Sequence, residues 1–315
     1  MSKKFTYTME DRIPSSLLEE LPDSKRTREE IPNPGISYWE SCRHNLKKDK
    51  LAMFGLIIII LMSLLAILVP LFSPYSYDQI DFNHTMQWPD RNHLFGTDKL
   101  GRDIFVRTMY GARISLSIGF AAAGINMAIG VLYGGIAGYF GGMTDMIMMR
   151  IVDILSSIPS MLYLILIMMY LGNSIQSILI ALCLTYWITT ARMVRAQILT
   201  LKNLDFAWAA KVCGLTKWQI VIKHFIPNSM GSIIVSVTFV IPSAIFQEAF
   251  LSFLGIGIQI PKASWGTLAN EGMAYLFTHP YQMLFPALCI SITIFSLNFL
   301  GDGLRDALDP RLKKL

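Results

Sequence analysis

Six segments of the chain are long enough, apolar enough and free enough of charge to cross a membrane, with polar stretches between them. Leu51–Tyr77 carries no charged side chain, and its apolar part, Leu51–Phe72, can cross a hydrocarbon core of about 30 Å. A second span lies within Ile114–Thr144, again uncharged. Ile154–Ala191 is also uncharged; as one helix it would run about 57 Å, roughly twice the core. Leu171-Gly-Asn-Ser174 is a turn signal that divides it, giving a third span from near Met146 and a fourth ending near Arg195. The fifth span covers about Ser229–Phe250 with a kink at Pro242, and the sixth lies within Met283–Leu304.

The polar stretches set the orientation. Residues 1–36 carry both signs of charge and four prolines, which reads as an irregular cytoplasmic tail, and no signal peptide is expected. Ser37 and Glu40 form an S-x-x-E capping box opening a helix over 37–50, with Tyr38, Trp39, Cys42 and Leu46 on one face and basic residues beside them. The readings are an interfacial helix or a solvated charged linker. The lysines before Leu51 place the start of the first span in the cytoplasm. Residues 73–110, with five Asp against Arg91, Lys99, Arg102 and Arg107, read as external, with a short helix from Asp103. Residues 251–281 read as a second external segment that dips back toward the membrane. Asp309-Pro310 stops the last helix before a basic cytoplasmic tail at 305–315, so both termini are expected inside.

Within the spans, Gly130, Gly134, Gly138 and Gly142 recur every fourth residue and offer a flat strip for close helix packing, the later ones also fitting a turn. Asp153, three residues after Arg150, is either one half of a local ion pair or a polar group on a translocation path. Gln247 and Glu248, near the external end of span five, are further path candidates.

One polar interruption stands apart: Asn203 to Asn228, between apolar runs and rich in lysine. Asn203 is read as an N-cap and Gly214 as a C′ stop. Thr216 and Gln219 form a T-x-x-Q capping box for a second short helix that Pro227 ends. This is a helix, glycine turn, helix outside the bilayer.

Composition narrows the classes. The 315 residues are 53% hydrophobic and 16% charged, against about 25% charged in soluble domains. The +5 net charge follows topology and makes no nucleic-acid face. Cys42, Cys183, Cys213 and Cys289 show no C-x-x-C spacing, so neither a disulfide framework nor a metal site is indicated. The sequence has no G-x-x-x-x-G-K-[ST] phosphate cradle and no catalytic constellation, so the chain is expected to bind no cofactor itself and to be no enzyme.

The interruption resembles the EAA loop of ABC-importer permeases: Glu-Ala-Ala, three residues, Gly, nine residues, Ile-x-Leu-Pro. Ala209-Ala210, Gly214 and Pro227 keep that spacing, while Trp208 replaces the Glu, His224 the Ile and Ile226 the Leu. A docking contact through the missing carboxylate is not carried over. Other stretches are similar to the C-type permease of oligopeptide and dipeptide importers, including His93-Leu-Phe-Gly-Thr-Asp98, Leu100-Gly-Arg-Asp103, Ser157-Ile-Pro159, Leu251-Ser-Phe-Leu-Gly255 and Asn298 through Arg311. The resemblance covers roughly residues 38–311. It implies an all-α membrane protein with six transmembrane helices of the type I ABC importer permease fold, in a bacterial or archaeal cell membrane. The layout is tail 1–36, interfacial helix 37–50, first span 51–72, external segment 73–110, permease domain 111–304 and tail 305–315. The resemblance also implies a second homologous permease, two ABC ATPase subunits that hold ATP and magnesium, an extracytoplasmic peptide-binding protein, and a peptide substrate. Ala209, Ala210, Gly214, Thr216, Trp218, His224 and Pro227 would form the loop that couples to the ATPase. The same architecture with nickel, an opine or glutathione as solute is an alternative. A secondary transporter needs coupling-ion carboxylates within the spans, for which only Asp153 offers itself, and interrupted repeats, which the chain does not show. A membrane scaffold or peptide sensor is the third class.

Overall fold

The computed structural model describes residues 38–259 and 261–308. The N-terminal tail, the Ser37 half of the first capping box and the Asp309-Pro310 stop lie outside the described residues. By its internal contacts the chain divides between Ser41 and Cys42 into two compact units. Of the first only Tyr38–Ser41 is described, the opening turn of helix α1 (Tyr38–Lys48), where the Tyr38 and Trp39 rings meet edge to face.

In the second unit, Cys42 and Leu46 of α1 pack on Ala307 and Leu308. Asp49 leaves the helical conformation and its carboxylate accepts the Leu51 and Ala52 amides at 2.9 and 3.1 Å, which starts α2 (Lys50–Phe72). An irregular segment then leads to Asp103, whose side chain caps α3 (Ile104–Phe140) through the Val106 amide at 2.8 Å. The short helix expected from Asp103 does not stop. It continues through the second span as one helix of 37 residues, since no proline interrupts it.

The third expected span is not straight. It consists of α4 (Gly142–Ser157) and α5 (Ser160–Leu171), bent by 81°. Pro159 lacks an amide hydrogen and drives Ile158 into an extended conformation (φ −91°, ψ 129°), so the helix must break there. Beyond the Gly172 turn comes α6 (Ile175–Leu201), capped by Ser174. The polar loop holds α7 (Asp205–Val212) and α8 (Lys217–Ile220), followed by α9 (Ile226–Phe253), α10 (Trp265–Met273) and α11 (Tyr281–Leu308). Among the described residues, five helical stretches are long and apolar enough to span a membrane, and the bent pair makes up to six. The fold is all-α.

Helices α3, α6 and α9 form the centre. Ile118 and Ala122 meet Ile178, Ala181 and Leu182 of α6, Ala244 and Leu251 of α9, and Leu164 and Met168 of α5. The glycine strip makes the closest of these contacts. A Cβ on Gly130 would lie 2.6 Å from the Thr190 Cβ, and one on Gly134 only 2.3 Å from the Ala191 carbonyl oxygen. Gly138 faces Arg195 and Ile198 in the same way. Gly142 leaves the strip: at φ +53° with nothing near its Cβ position, it belongs to the turn into α4. Helix α2 lies on the flank against α11 and α3, and α10 folds back over the N-terminal end of α3.

Candidate functional site

The loop from Lys202 to Asn228 is built as two short helices around a glycine. Asn203 does not cap α7. Its amide donates back to the Leu199 carbonyl at 3.3 Å, and Leu204 takes the N-cap position with no side-chain bond, because the α6 helix runs on to Leu201 and closes in a turn over 202–204. At the other end Gly214 has φ +76°. The Leu215 amide reaches the Ala210 carbonyl and the Gly214 amide reaches the Lys211 carbonyl, the paired bonds of a Schellman stop. Both bonds of the Thr216–Gln219 capping box are present.

Pro227 does not end the second helix. Val221–Phe225 forms a π turn in which the Ile226 amide bonds to the Val221 carbonyl, and the chain continues directly into α9. Pro227 has no amide to give to the Lys223 carbonyl, and the widened turn accommodates its ring. So α8, the π turn and α9 form one continuous helical run from Lys217 to Phe253.

The inner side of this loop is anchored. Ala207, Ala210, Ile220, Val221 and Phe225 pack with Tyr139, Val194 and Ile198 in a single cluster. The outer side is not. Leu204, Trp208 and Val212, at i, i+4 and i+8, share one face of α7, with Trp208 59% and Val212 86% exposed. Trp218 on α8 is 50% exposed. The Lys211 ammonium lies 4.3 Å from the Trp208 ring centroid, and that of Lys217 lies 5.5 Å from the Phe140 ring. Ala209, Gly214 and Thr216 lie exposed beside these residues. His224 sits half-buried in the π turn, where its carbonyl takes the Asn228 amide at 2.6 Å, and Pro227 is exposed in the first turn of α9. Trp208 was noted in the sequence only as a departure from a motif. The helical spacing that joins it to Leu204 and Val212 was the signal for the wider patch.

The three path candidates do not converge. Asp153 pairs with Arg192 at 2.9 Å, both side chains about half exposed, and Arg192 also donates to Ser156. The partner is therefore not the neighbouring Arg150. Gln247 is half-buried, its amide against the Met161 sulfur. Glu248 is fully buried where α3, α9 and α10 meet, and takes hydroxyl bonds from Ser115 at 2.7 Å and Ser252 at 2.8 Å. A further pair, Asp145 with Arg195, ties α4 to α6 through two bonds.

The segment before α3 is organised around ions. Asp98 accepts from Arg102 and Arg107 at 2.6 Å each, and both arginines also reach Glu271 on α10, at 3.0 and 2.8 Å. His93 and Asp103 pair at 2.8 Å beside them. Trp265, fully buried, donates its indole hydrogen to the Thr108 carbonyl at 3.0 Å. The Tyr281 hydroxyl donates to the Gln87 carbonyl at 2.7 Å, fixing the irregular segment on the start of α11. Among the described residues no His, Cys, Asp and Glu group could hold a metal ion.

Comparison with known proteins bears on both ends of the molecule. Residues 130–314 match the family described as binding-protein-dependent transport system inner membrane component, and residues 37–89 match the N-terminal TM domain of oligopeptide transport permease C. The oligopeptide transport system permease protein OppC of Bacillus subtilis is 48% identical over 302 residues, 96% of this chain and 99% of that protein. The dipeptide transport system permease protein DppC of the same organism is 46% identical over 293 residues, 93% of this chain and 92% of that protein. OppC of Haemophilus influenzae is 44% identical over 90% of this chain and 92% of its own length. Among solved structures, an inward-facing MetNI methionine ABC transporter aligns with a TM-score of 0.49 and 17% identity, over 64% of this chain and 96% of that one.

Proposed function

The chain belongs to the family of binding-protein-dependent transport system inner membrane components, and from that premise we propose that it is a permease subunit of an ATP-driven importer of oligopeptides or dipeptides. The observation that carries this reading is the 202–228 loop. It is rigidly anchored on one side, and on the other it presents Leu204, Trp208, Val212 and Trp218 to solvent. Exposed aromatics of this kind are hot-spot residues in need of a protein partner. Two ABC ATPase subunits are the proposed partners, and ATP and magnesium reside in them, so this chain is non-catalytic.

The mechanism is a population shift. ATP-driven closure of the ATPases moves the loop, and because α8 passes through the π turn into α9 without a stop, the movement is delivered directly to a membrane-spanning helix. A peptide has charged termini and polar amides, so it crosses through a hydrated cavity between this chain and a second homologous permease. The extracytoplasmic binding protein docks on residues 73–110 and 251–281. In this arrangement both termini are cytoplasmic.

Reconstituted vesicles holding the two permeases, the ATPases and the binding protein provide the test. Labelled peptide should accumulate only with ATP, and Trp208→Ala should depress peptide-stimulated ATP hydrolysis while leaving binding-protein capture intact. Uptake driven by an ion gradient without ATP would overturn the reading. Uptake of nickel, an opine or glutathione in place of peptide would overturn the substrate.

A further inference from the structure

We infer that Arg113 and Lys262 hold the phosphate of an anionic phospholipid whose acyl chain lies in the groove between α2 and α3. The level of Arg113 in the bilayer follows from helix length. At 37 residues α3 is about 55 Å long, well over the hydrocarbon core of about 30 Å. Centred in the membrane, it places Arg113 roughly 13 Å from the midplane, at the rim of the core. Helix α2 agrees independently. Its 23 residues span about 34 Å, and its last turn, Pro70 and Leu71, lines the same cavity as Arg113.

At that level Arg113 lacks a partner. Arg107, about two turns earlier on α3, and Arg102, just before the helix, lie on the same side of the membrane and are paired with Asp98 and Glu271. The Arg113 guanidinium has no ion pair or side-chain hydrogen bond among the described residues, and it is exposed. Asp78, in the nearby segment, takes the Ser76 hydroxyl and not Arg113. Lys262 is exposed and equally unpaired, and shares with Arg113 a second cavity of 340 Å³ that reaches the start of α6. A cation at the edge of the hydrocarbon core is stable when an anion or the headgroup layer meets it.

The adjoining cavity on the other side of Arg113 measures 810 Å³. Its walls are Ala66, Ile67 and Leu71 of α2 with Leu116 and Phe120 of α3, and it extends from Leu71 down to Ser63, about 12 Å of helix. Ile67, Leu71 and Phe120 are exposed along it. Ser76, Tyr77 and Tyr110 gather at the headgroup end, the two rings stacked with centroids 3.8 Å apart at the level where tyrosines are enriched, and Ser117 and Ser63 are the polar groups deeper along the slot. A largely apolar slot with Arg113 at its mouth, and Lys262 across the adjoining cavity from Arg113, matches one amphiphile with an anionic head. A peptide would bring a run of polar amides into a slot whose deeper walls offer only the Ser63 and Ser117 hydroxyls to meet them.

The test is lipid retention. The assembled complex is placed in nanodiscs of phosphatidylcholine with a minority of phosphatidylglycerol, then extracted gently and measured by native mass spectrometry. Phosphatidylglycerol should be enriched on the wild-type complex. Arg113→Gln should lower its retention by about tenfold, the scale of one charge-assisted hydrogen bond, and Arg113→Lys should keep most of it. Lys262→Gln, in an exposed loop, should lower retention too and serves if the Arg113 variant fails to assemble. Equal retention in wild type and variants would overturn the proposal. So would displacement of the lipid by added peptide, or a crosslink from position 113 to a protein partner. Peptide uptake measured on the wild-type and Arg113→Gln samples, position 113 lying outside the segments proposed for the binding protein, reports separately on the transport reading.

Discussion

The two ends of the bundle handle their charged groups in opposite ways. At the 73–103 end the charges are inside: Arg107 is 1% exposed, yet it touches both Asp98 and Glu271, and Trp265 is completely covered. At the 202–228 end the aromatics are outside, and Lys211 and Lys217 lie over rings instead of carboxylates. The first end has its ionic partners within the chain, and it keeps Phe82 and Trp88 exposed on the surface proposed for the binding protein. The second is anchored from beneath and open above, which is the form of a surface awaiting a partner. On the proposed function the difference divides the work: one end keeps its shape, and the other transmits movement.

The largest effect should come from breaking the ion-paired end. Arg107→Ala leaves Asp98 and Glu271 facing each other with one cation fewer, in a site where removing one partner of a buried pair costs about 3–5 kcal/mol. The purified complex should melt well below wild type and lose yield. Thermal unfolding followed by tryptophan fluorescence checks this, and an unchanged melting temperature would mean that this end is no more locked than the other.

The sequence made some of this legible. The glycine strip at 130, 134 and 138 was readable because helical spacing is local, and so were the Gly214 stop and the Thr216 cap. The ion network was not, because Glu271 lies more than 160 residues from its arginines and only the fold brings them together. Pro159 and Pro227 look alike in sequence and behave differently. At the first the helix breaks by 81°, and at the second a π turn carries it through. Proline removes one hydrogen bond in either case, and the surrounding packing decides what replaces it. Phe225 and Val221 are buried in the α6–α7 cluster, which holds the second helix on course.

A smaller effect is expected at the open end. Gly214 has φ +76°, and nothing lies within 4 Å of a Cβ built there. Gly214→Val should therefore cost only the backbone penalty, about 1–2 kcal/mol, and no clash. Insertion and capture of the binding protein should survive. The angle between α7 and α8 should change, and peptide-stimulated ATP hydrolysis should fall together with uptake. A normal ATPase response in a correctly assembled Gly214→Val complex would remove the coupling role and leave Gly214 as a mere helix stop.

The smallest effects give the finest comparison, because among the described residues each end carries one complete capping box. Ser264 and Thr267 start α10 at the closed end, and Ser264 is fully buried. Thr216 and Gln219 start α8 at the open end, in solvent. Both caps satisfy the same backbone donors, and removing either costs about 0.5–2 kcal/mol. Water separates the two cases. At Thr216→Ala, solvent takes over the freed Gln219 amide, so the loss should fall at the low end of that range. At Ser264→Ala the Thr267 amide is left in a part-buried turn beside the fully buried position 264, where water replaces the lost bond less freely, and the desolvation cost of a poorly satisfied donor puts this variant toward the high end. The functional order should be reversed. Thr216→Ala loosens the short helix that leads into α9 and should reduce coupling of ATP hydrolysis to uptake, whereas Ser264→Ala should lower the melting temperature with coupling unchanged in the protein that remains folded. Measuring melting temperature and the ratio of peptide taken up to ATP hydrolysed for both variants decides the matter. If the two substitutions move both quantities alike, the division between a shape-keeping end and a movement-transmitting end is wrong.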